Sequence, residues 1–217
     1  MHQAQHIIFD FDGTLVDSAP AILAGFAAVL TAHGITPQLP LDEGLIGPPL
    51  QETLALLSGI KDKQKLTQLA EDFKRHYDSD GVLVTPAYRG VTSMLDDLRR
   101  SNRILHIATN KRIAPTRSIV AHLGWTETFD SLYALDIYSP RLADKSALLA
   151  CLLHERKLAA AHCIYVGDKF EDGEAADGNQ LPFIAAQWGY GDFEQDECPQ
   201  HWQFAESPNV LKTILLG

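Results

Sequence analysis

The sequence is poor in every feature that stabilises or targets a protein by special means. It has 3 cysteines in 217 residues, Cys151, Cys163 and Cys198. An odd number without a C-x-x-C pair argues against a disulfide framework and offers no zinc knuckle. Cys151 and Cys163 stand among apolar residues and read as small buried side chains. No apolar run approaches the ~18 residues that span a bilayer. The opening MHQAQHIIFD runs directly into an apolar segment that ends in acids, unlike a secretory leader. A reducing cytoplasm with no membrane partner is the expectation. Basic charge is scarce too, with 18 Lys+Arg against 28 Asp+Glu, a formal charge of −10. Nucleic acids and anionic membranes reward clustered Lys and Arg, so no nucleic-acid partner is expected. Small anionic substrates stay open, because a bound cation reverses the field locally. The chain has no internal repeat and no low-complexity linker, and its histidines show no metal-ligand spacing. His106 reads as a satisfied core or interface residue.

What is present suits a packed globule: 46% of residues are hydrophobic and 21% charged. Short apolar runs recur at IIFDF (7–11), RILHIAT (103–109), SLYALDI (131–137), CIYVGD (163–168) and FIAAQW (183–188). Each ends in polar residues or Gly and predicts a strand. Helical spacing predicts helices near 91–101, 113–123, 145–157 and 172–178. Strands alternating with helices imply a mostly parallel sheet covered on both faces.

Residues 18–89 break this rhythm, being far longer than one crossover helix requires. Ser18-Ala19-Pro20 predicts an N-cap with Pro in the first turn. Ile22, Leu23, Phe26, Val29 and Leu30 follow at helical spacing up to a terminating Gly34. Leu54, Leu56 and Leu57 predict a second helix, and Leu66, Leu69, Phe73 and Tyr77 a third. The stretch reads as an all-helical insertion.

Chemistry collects at the predicted strand ends, the edge where open α/β sheets bind ligands. Asp10 and Asp12 end the first strand. Alternate strand residues share a side, so both carboxylates are expected to face one site. Carboxylates that close repel unless a cation lies between them or their acid and base roles divide. Thr109 ends the second strand before Asn110 and Lys111, where a hydroxyl and helix N–H groups suit an anion. Lys145 opens the helix after the third strand, an end disfavoured for a cation. Gly167-Asp168 and Asp172 add carboxylates at the same edge, the oxygen donors that Mg²⁺ takes.

Taken in order, Asp-x-Asp, Thr, Lys and Gly-Asp-x-x-x-Asp resemble the motifs of the haloacid dehalogenase-like hydrolase superfamily and span residues 10–172. The insertion after the first motif resembles that superfamily's C1-type cap. Ile46-Gly47-Pro48-Pro49-Leu50, Thr109-Asn110-Lys111 and Trp188-Gly189-Tyr190-Gly191 resemble the phosphoglycolate phosphatase-like subgroup. The fold so implied is α/β, a Rossmann-like parallel-sheet core of residues 1–17 and 90–217 with an inserted helical cap of 18–89. The resemblance also implies a Mg²⁺-dependent phosphatase acting on a small phosphorylated metabolite, a phosphoglycolate-like monoester. Asp10 would be the nucleophile forming an aspartyl-phosphate, and Asp12 the acid and base. Mg²⁺ would be held by Asp10, the backbone carbonyl of Asp12, and Asp168, with Asp172 bound directly or one layer out. Thr109, Asn110 and Lys145 would bind the phosphoryl oxygens, and Gly47 would lie at the substrate mouth of the closing cap.

The rivals are a β-phosphoglucomutase-like phosphomutase or a pyrophosphatase of the same superfamily, and a catalytically weak phosphate-binding or receiver-like module. Either a monomer or a homodimer suits the sequence. Three positions depart from the family pattern. Ser146 follows Lys145 in place of Pro, and Lys169 follows Asp168 in place of a small hydroxyl residue. Gln180 stands where Gly often ends the helix, with Asn179 expected to take the left-handed turn.

Overall fold

Apolar runs rich in Ile, Val, Ala and aromatic residues build one parallel sheet, in the computed structural model that describes residues 4–191, 193 and 195–217. Its strands among the described residues are β1 (His6–Phe9), β2 (Ile104–Thr109), β3 (Ser131–Ala134), β4 (Cys163–Gly167), β5 (Phe183–Ala186) and β6 (Gln203–Ala205). They lie in the order β3-β2-β1-β4-β5-β6, every neighbouring pair parallel. This is an α/β fold with a Rossmann-like sheet. Strands buried on both faces carry nearly continuous apolar runs, which is why five of them are legible in the sequence. β6 is short and begins with Gln203, so no such run announces it.

The chain divides into two compact units, Met1–Asp17 with Ala87–Gly217, and Ser18–Pro86. The second carries helices α1 (Ala19–Ala32), α2 (Leu50–Ser58) and α3 (Lys63–Ser79). The first carries α4 (Val91–Arg100), α5 (Ile113–His122), α6 (Lys145–Glu155), α7 (Phe170–Gly178) and α8 (Pro208–Leu216). Of these, α8 is absent from the sequence-based expectation, and α7 begins two residues earlier than expected.

In the sheet unit, Leu148, Leu149 and Leu152 of α6 and Ala175 and Ala176 of α7 pack on Ile8, Tyr165, Phe183 and Trp202. Side chains alternate along a strand, so Ile7, Phe9, Ile107 and Val166 turn to the opposite face. There α4 meets β2, and α8 meets α4 and the β5–β6 edge. Each buried Leu, Ile or Phe contributes about 1.5–3 kcal/mol. These two layers, and not the polar groups of the site, therefore hold the strand ends in place. The chain leaves and re-enters the sheet unit side by side, Val16 bridging Ala87 and the Tyr88 N–H donating to the Leu15 carbonyl at 3.1 Å.

In the helical unit, α1 and α3 meet through Phe26 and Phe73, with ring centroids 4.7 Å apart. Gly25 permits this approach, since a Cβ there would lie 2.9 Å from the Phe73 ring. Gly34 ends α1 at φ +64°, as its position predicts. Ser18 precedes α1 but does not cap it. Its backbone is already helical, and its side chain makes no capping hydrogen bond.

Two further details correct the sequence reading. Cys163 is buried but Cys151 is only half-buried. Gln180, not Asn179, takes the left-handed turn after α7, at φ +57°. Asn179 instead donates from Nδ2 to the Ser146 carbonyl (3.0 Å) and Oγ (3.1 Å), tying the end of α7 to the start of α6. Ser146 thus supplies two acceptors for this link, one of them a hydroxyl that Pro lacks. No helix among the described residues is long and apolar enough to cross a membrane.

At the amino edge of the sheet, His6 Nδ1 lies 3.1 Å from His106 Nε2, and His106 Nδ1 lies 2.7 Å from the Ser131 hydroxyl. Burial, then the charges of His6 and Arg156, pushes His106 down to about 3. Burial also lowers His6. The folded state resists protonation here while the unfolded chain does not. The stability tied to this pair is therefore present above the unfolded histidine value near 6.5 and is lost as pH falls below it. His106→Leu removes that pH dependence. The melting temperature of the wild-type protein should exceed that of His106→Leu at about pH 7.5, and the gap should narrow by about pH 5. A gap constant across that range contradicts the assignment.

Candidate active site

Residues from five separate segments converge where the strands end. Asp10 follows β1, and its N–H still donates to the Val166 carbonyl of β4 at 2.8 Å. Thr109 is the last residue of β2, Lys145 the first of α6, and Asp168 follows β4. Asp172 lies in the first turn of α7. Asp10, Thr109, Lys145, Asp168 and Asp172 are all buried.

Lys145 Nζ is the hub. It lies 3.0 Å from Asp10 Oδ2 and 2.6 Å from Asp172 Oδ1. Asp172 Oδ1 also accepts from the Tyr165 hydroxyl at 3.3 Å, and its Oδ2 accepts from the Lys169 N–H at 3.0 Å. Asp168 Oδ1 accepts from the Thr14 hydroxyl (2.9 Å) and its Oδ2 from the Tyr190 N–H (2.9 Å). The Trp188 indole donates to the Thr14 carbonyl at 3.0 Å, fixing the loop that carries Thr14. Asp10 Oδ1 differs from all of these: it is buried with no hydrogen-bond partner among the described residues.

The expectation that Asp10 and Asp12 share a strand face is not met. β1 ends at Phe9, and Asp12 lies in the turn before Gly13, where φ is +82°. The two carboxylates consequently take different partners. Asp12 Oδ1 and Oδ2 lie 3.0 and 3.3 Å from Lys111 Nζ, while Asp10 pairs with Lys145. Thr109 Oγ1 accepts from the Lys111 N–H at 3.2 Å. Asn110 donates to Glu171 Oε1 at 3.4 Å, leaving its own Oδ1 buried without a partner among the described residues. Gly47 lies in the other unit, exposed between a 3-10 turn and α2, and takes φ +115°.

Glycines make room for the acids. A Cβ on Gly13, Gly189 or Gly191 would overlap atoms of Asp168, and one on Gly167 would overlap Asp172. At Gly13 the positive φ adds a second reason for the missing side chain.

One oxygen each from Asp10, Asp168 and Asp172 lies within 4.8 Å of the other two. At such separations two like charges repel by about 3–4 kcal/mol at an effective dielectric near 20. The ammonium of Lys145 offsets one of the three charges and leaves the cluster two negative charges in excess. Burial accordingly raises Asp10 to about 8 against the pull of Lys145, with Asp172 and Asp168 adding to the rise. Burial and then Asp172 raise Asp168 to about 7, against the hydrogen bonds from Tyr190 and Thr14. Burial disfavours the Lys145 ammonium, but Asp10 and Asp172 outweigh it and raise Lys145 above its ordinary value. Hard oxygen donors, two charges in excess and one unpartnered carboxylate oxygen fit a divalent cation.

Asp10, Lys145, Asp168 and Asp172, expected from sequence, thus gather at one place, and Thr109 ends the neighbouring strand β2 at the same sheet edge. Four contributors were missed. Thr14 and the Tyr190 N–H hold Asp168, Tyr165 touches Asp172, and Lys111 holds Asp12. Lys111 and Tyr190 lie within the quoted motifs, so their positions were visible though their contacts were not, and Thr14 lies two residues past Asp12. Tyr165 sits in an apolar strand with nothing to distinguish it.

Comparison with known proteins follows this geometry. A family described as haloacid dehalogenase-like hydrolase matches residues 7–186. A phosphoglycolate phosphatase of Cereibacter sphaeroides is 32% identical, covering 96% of this chain and 98% of its own. A phosphoglycolate phosphatase of Xylella fastidiosa is 33% identical over 94% of this chain and 90% of its own. A 5'-nucleotidase of Pseudomonas aeruginosa is 26% identical, with 97% and 95% covered. In fold, a haloacid dehalogenase-like family hydrolase from Streptococcus pneumoniae matches with a TM-score of 0.84 at 24% identity, covering 99% of both chains.

The raised carboxyl groups set the sign of a pH effect. A group whose folded value is raised loses stability as pH rises toward that value. The cost therefore grows above the ordinary carboxylate value of 3.8 and is larger near pH 8 than near pH 5, with Asp10 raised to about 8 and Asp168 to about 7. A divalent cation that relieves the cost should raise the melting temperature more at the higher pH. An equal shift at both, or none, contradicts the cation fit.

Proposed function

The chain belongs to the haloacid dehalogenase-like hydrolases and is a phosphatase of that family, and within it we propose that the protein hydrolyses a small phosphoglycolate-like monoester through an aspartyl-phosphate on Asp10. The observation that carries this reading is the asymmetry of the Asp10 carboxylate. Lys145 fixes Oδ2, while Oδ1 is buried and unpartnered, positioned as a nucleophile would be.

In the first step an Asp10 oxygen bonds to phosphorus, the ester P–O bond breaks, and the leaving oxygen takes a proton from Asp12. In the second, water attacks the phosphorus of the aspartyl-phosphate and passes a proton to Asp12. The bond from phosphorus to Asp10 breaks, inorganic phosphate leaves, and both side chains return to their starting state. Lys145 and Thr109 bind the phosphoryl oxygens, and Lys145 offsets charge that spreads onto them in the transition state. The cation-holding set is Asp10, Asp168 and the backbone carbonyl of Asp12, with Asp172. Asp172 also aims Lys145, whose Nζ lies 2.6 Å from its Oδ1. Mg²⁺, the cation of this reading, reduces the repulsion between Asp10 and an anionic phosphoryl group. The helical unit is assigned the cap role of the family.

The separate pairing of Asp10 and Asp12 supports a phosphatase, since nucleophile and proton donor need independent control. Nucleoside monophosphates are the second substrate class, favoured by the likeness to the Pseudomonas aeruginosa enzyme.

Phosphate release from phosphoglycolate with Mg²⁺ tests the proposal. EDTA should abolish release, Asp10→Asn should leave none above background, and Asp12→Asn should lower turnover by about 10²–10⁴-fold. Retained turnover in Asp10→Asn would falsify the nucleophile assignment. Faster release from nucleoside 5'-monophosphates transfers the protein to the second class.

A further inference from the structure

Lys111 has so far been given only the part of holding Asp12, with its side chain only 7% exposed and its ammonium 3.0 Å from that carboxylate. A lysine is costly to bury and is retained where its charge has a use. We propose that Lys111 selects substrates whose leaving alcohol carries its own anionic group beside the ester oxygen. This inference rests on the phosphatase reading, because it needs Asp12 as the proton donor.

To protonate the leaving oxygen, Asp12 must come within hydrogen-bond reach of it, about 2.6–3.2 Å. With Lys111 Nζ 3.0 Å from Asp12 Oδ1, that oxygen lies at most about 6 Å from the ammonium. A carboxylate or phosphate on the carbon next to the ester oxygen, turned toward Lys111, therefore comes within reach of an ion pair with it. Lys145 cannot serve this purpose, since Asp10 and Asp172 hold it on the phosphoryl side. The phosphoryl group itself is anionic and repels a second negative charge on the same substrate, so a leaving group of that kind needs its own counter-charge. Lys111 reverses the field on the leaving-group side alone.

The local structure keeps the ammonium there. The Lys111 N–H donates to Thr109 Oγ1, fixing the turn after β2, and Asn110 is drawn aside to Glu171. Lys111 thus positions Asp12 and meets the substrate, and the two parts are separable. Positioning affects every substrate, whereas anion selection affects only those with the second charge.

The test compares phosphoglycolate with ethyl phosphate, which has the same two carbons and no carboxylate, using the full chain with Mg²⁺. Wild type should favour phosphoglycolate in kcat/KM. In Lys111→Met the ratio between the two esters should fall at least about tenfold, the loss appearing mainly in KM for phosphoglycolate. Ethyl phosphate should lose kcat only, through the freed Asp12. Lys111→Arg, which keeps the charge, should restore part of the ratio. An unchanged ratio in Lys111→Met, with both esters slowed alike, overturns the inference while leaving the phosphatase intact. A wild-type preference for ethyl phosphate also overturns it. Release from neither ester by wild type overturns the phosphoglycolate reading and this inference together, and Asp10→Asn then distinguishes nothing further.

Discussion

The constraint on which the rest of the molecule depends is an uneven charge count in a dry place. Asp10, Asp168 and Asp172 are buried around the ammonium of Lys145, at distances where like charges repel by several kcal/mol. No chain holds such a cluster without something that forces it. Here the force is the apolar sandwich beneath it. Parallel strands end together, and α6 and α7 begin at that same edge, so the first residue of one helix and the first turn of the other deliver Lys145 and Asp172 directly. A bound cation would relieve this repulsion and would let an anionic phosphoryl group approach the same edge.

Two lysines divide the work. Lys145 ties the Asp10 carboxylate to one direction, and Lys111 ties the Asp12 carboxylate to another. β1 stops at Phe9 and the chain turns at Gly13, and on this short stretch the two acids take separate lysines. The glycines at 13, 167, 189 and 191 answer the same demand from the other side, removing side chains where the carboxylates need the volume.

Much of this was legible in the sequence, and the reason differs from part to part. β1, β2, β4 and β5 announce themselves because a doubly covered strand must be apolar throughout. The acids announce themselves because carboxylates are rare directly after such runs. β6 and α8 were invisible: three residues beginning with Gln carry no periodicity, and the helix behind them has no partner in sequence to identify its face. Lys111 was visible as part of a motif, but its ion pair with Asp12 depends on a turn whose direction no spacing rule gives. Asn179 and Gln180 were misassigned because both tolerate a left-handed backbone. The choice fell to a tertiary contact, the hydrogen bonds from Asn179 to Ser146, which no local rule contains. Lys169 stands beside Asp168 where the family pattern has a small hydroxyl residue. Its observed part is carried by the backbone N–H, which holds Asp172.

The central claim is that the unpartnered oxygen of Asp10 accepts the phosphoryl group. Mixing the protein with phosphoglycolate and Mg²⁺, quenching in acid within the first turnover and mapping the peptide masses tests it directly. The account predicts one phosphoryl group on the peptide containing Asp10, absent when EDTA precedes the substrate. Steady phosphate release with no modified peptide, or with the phosphoryl group on any other residue, would contradict it.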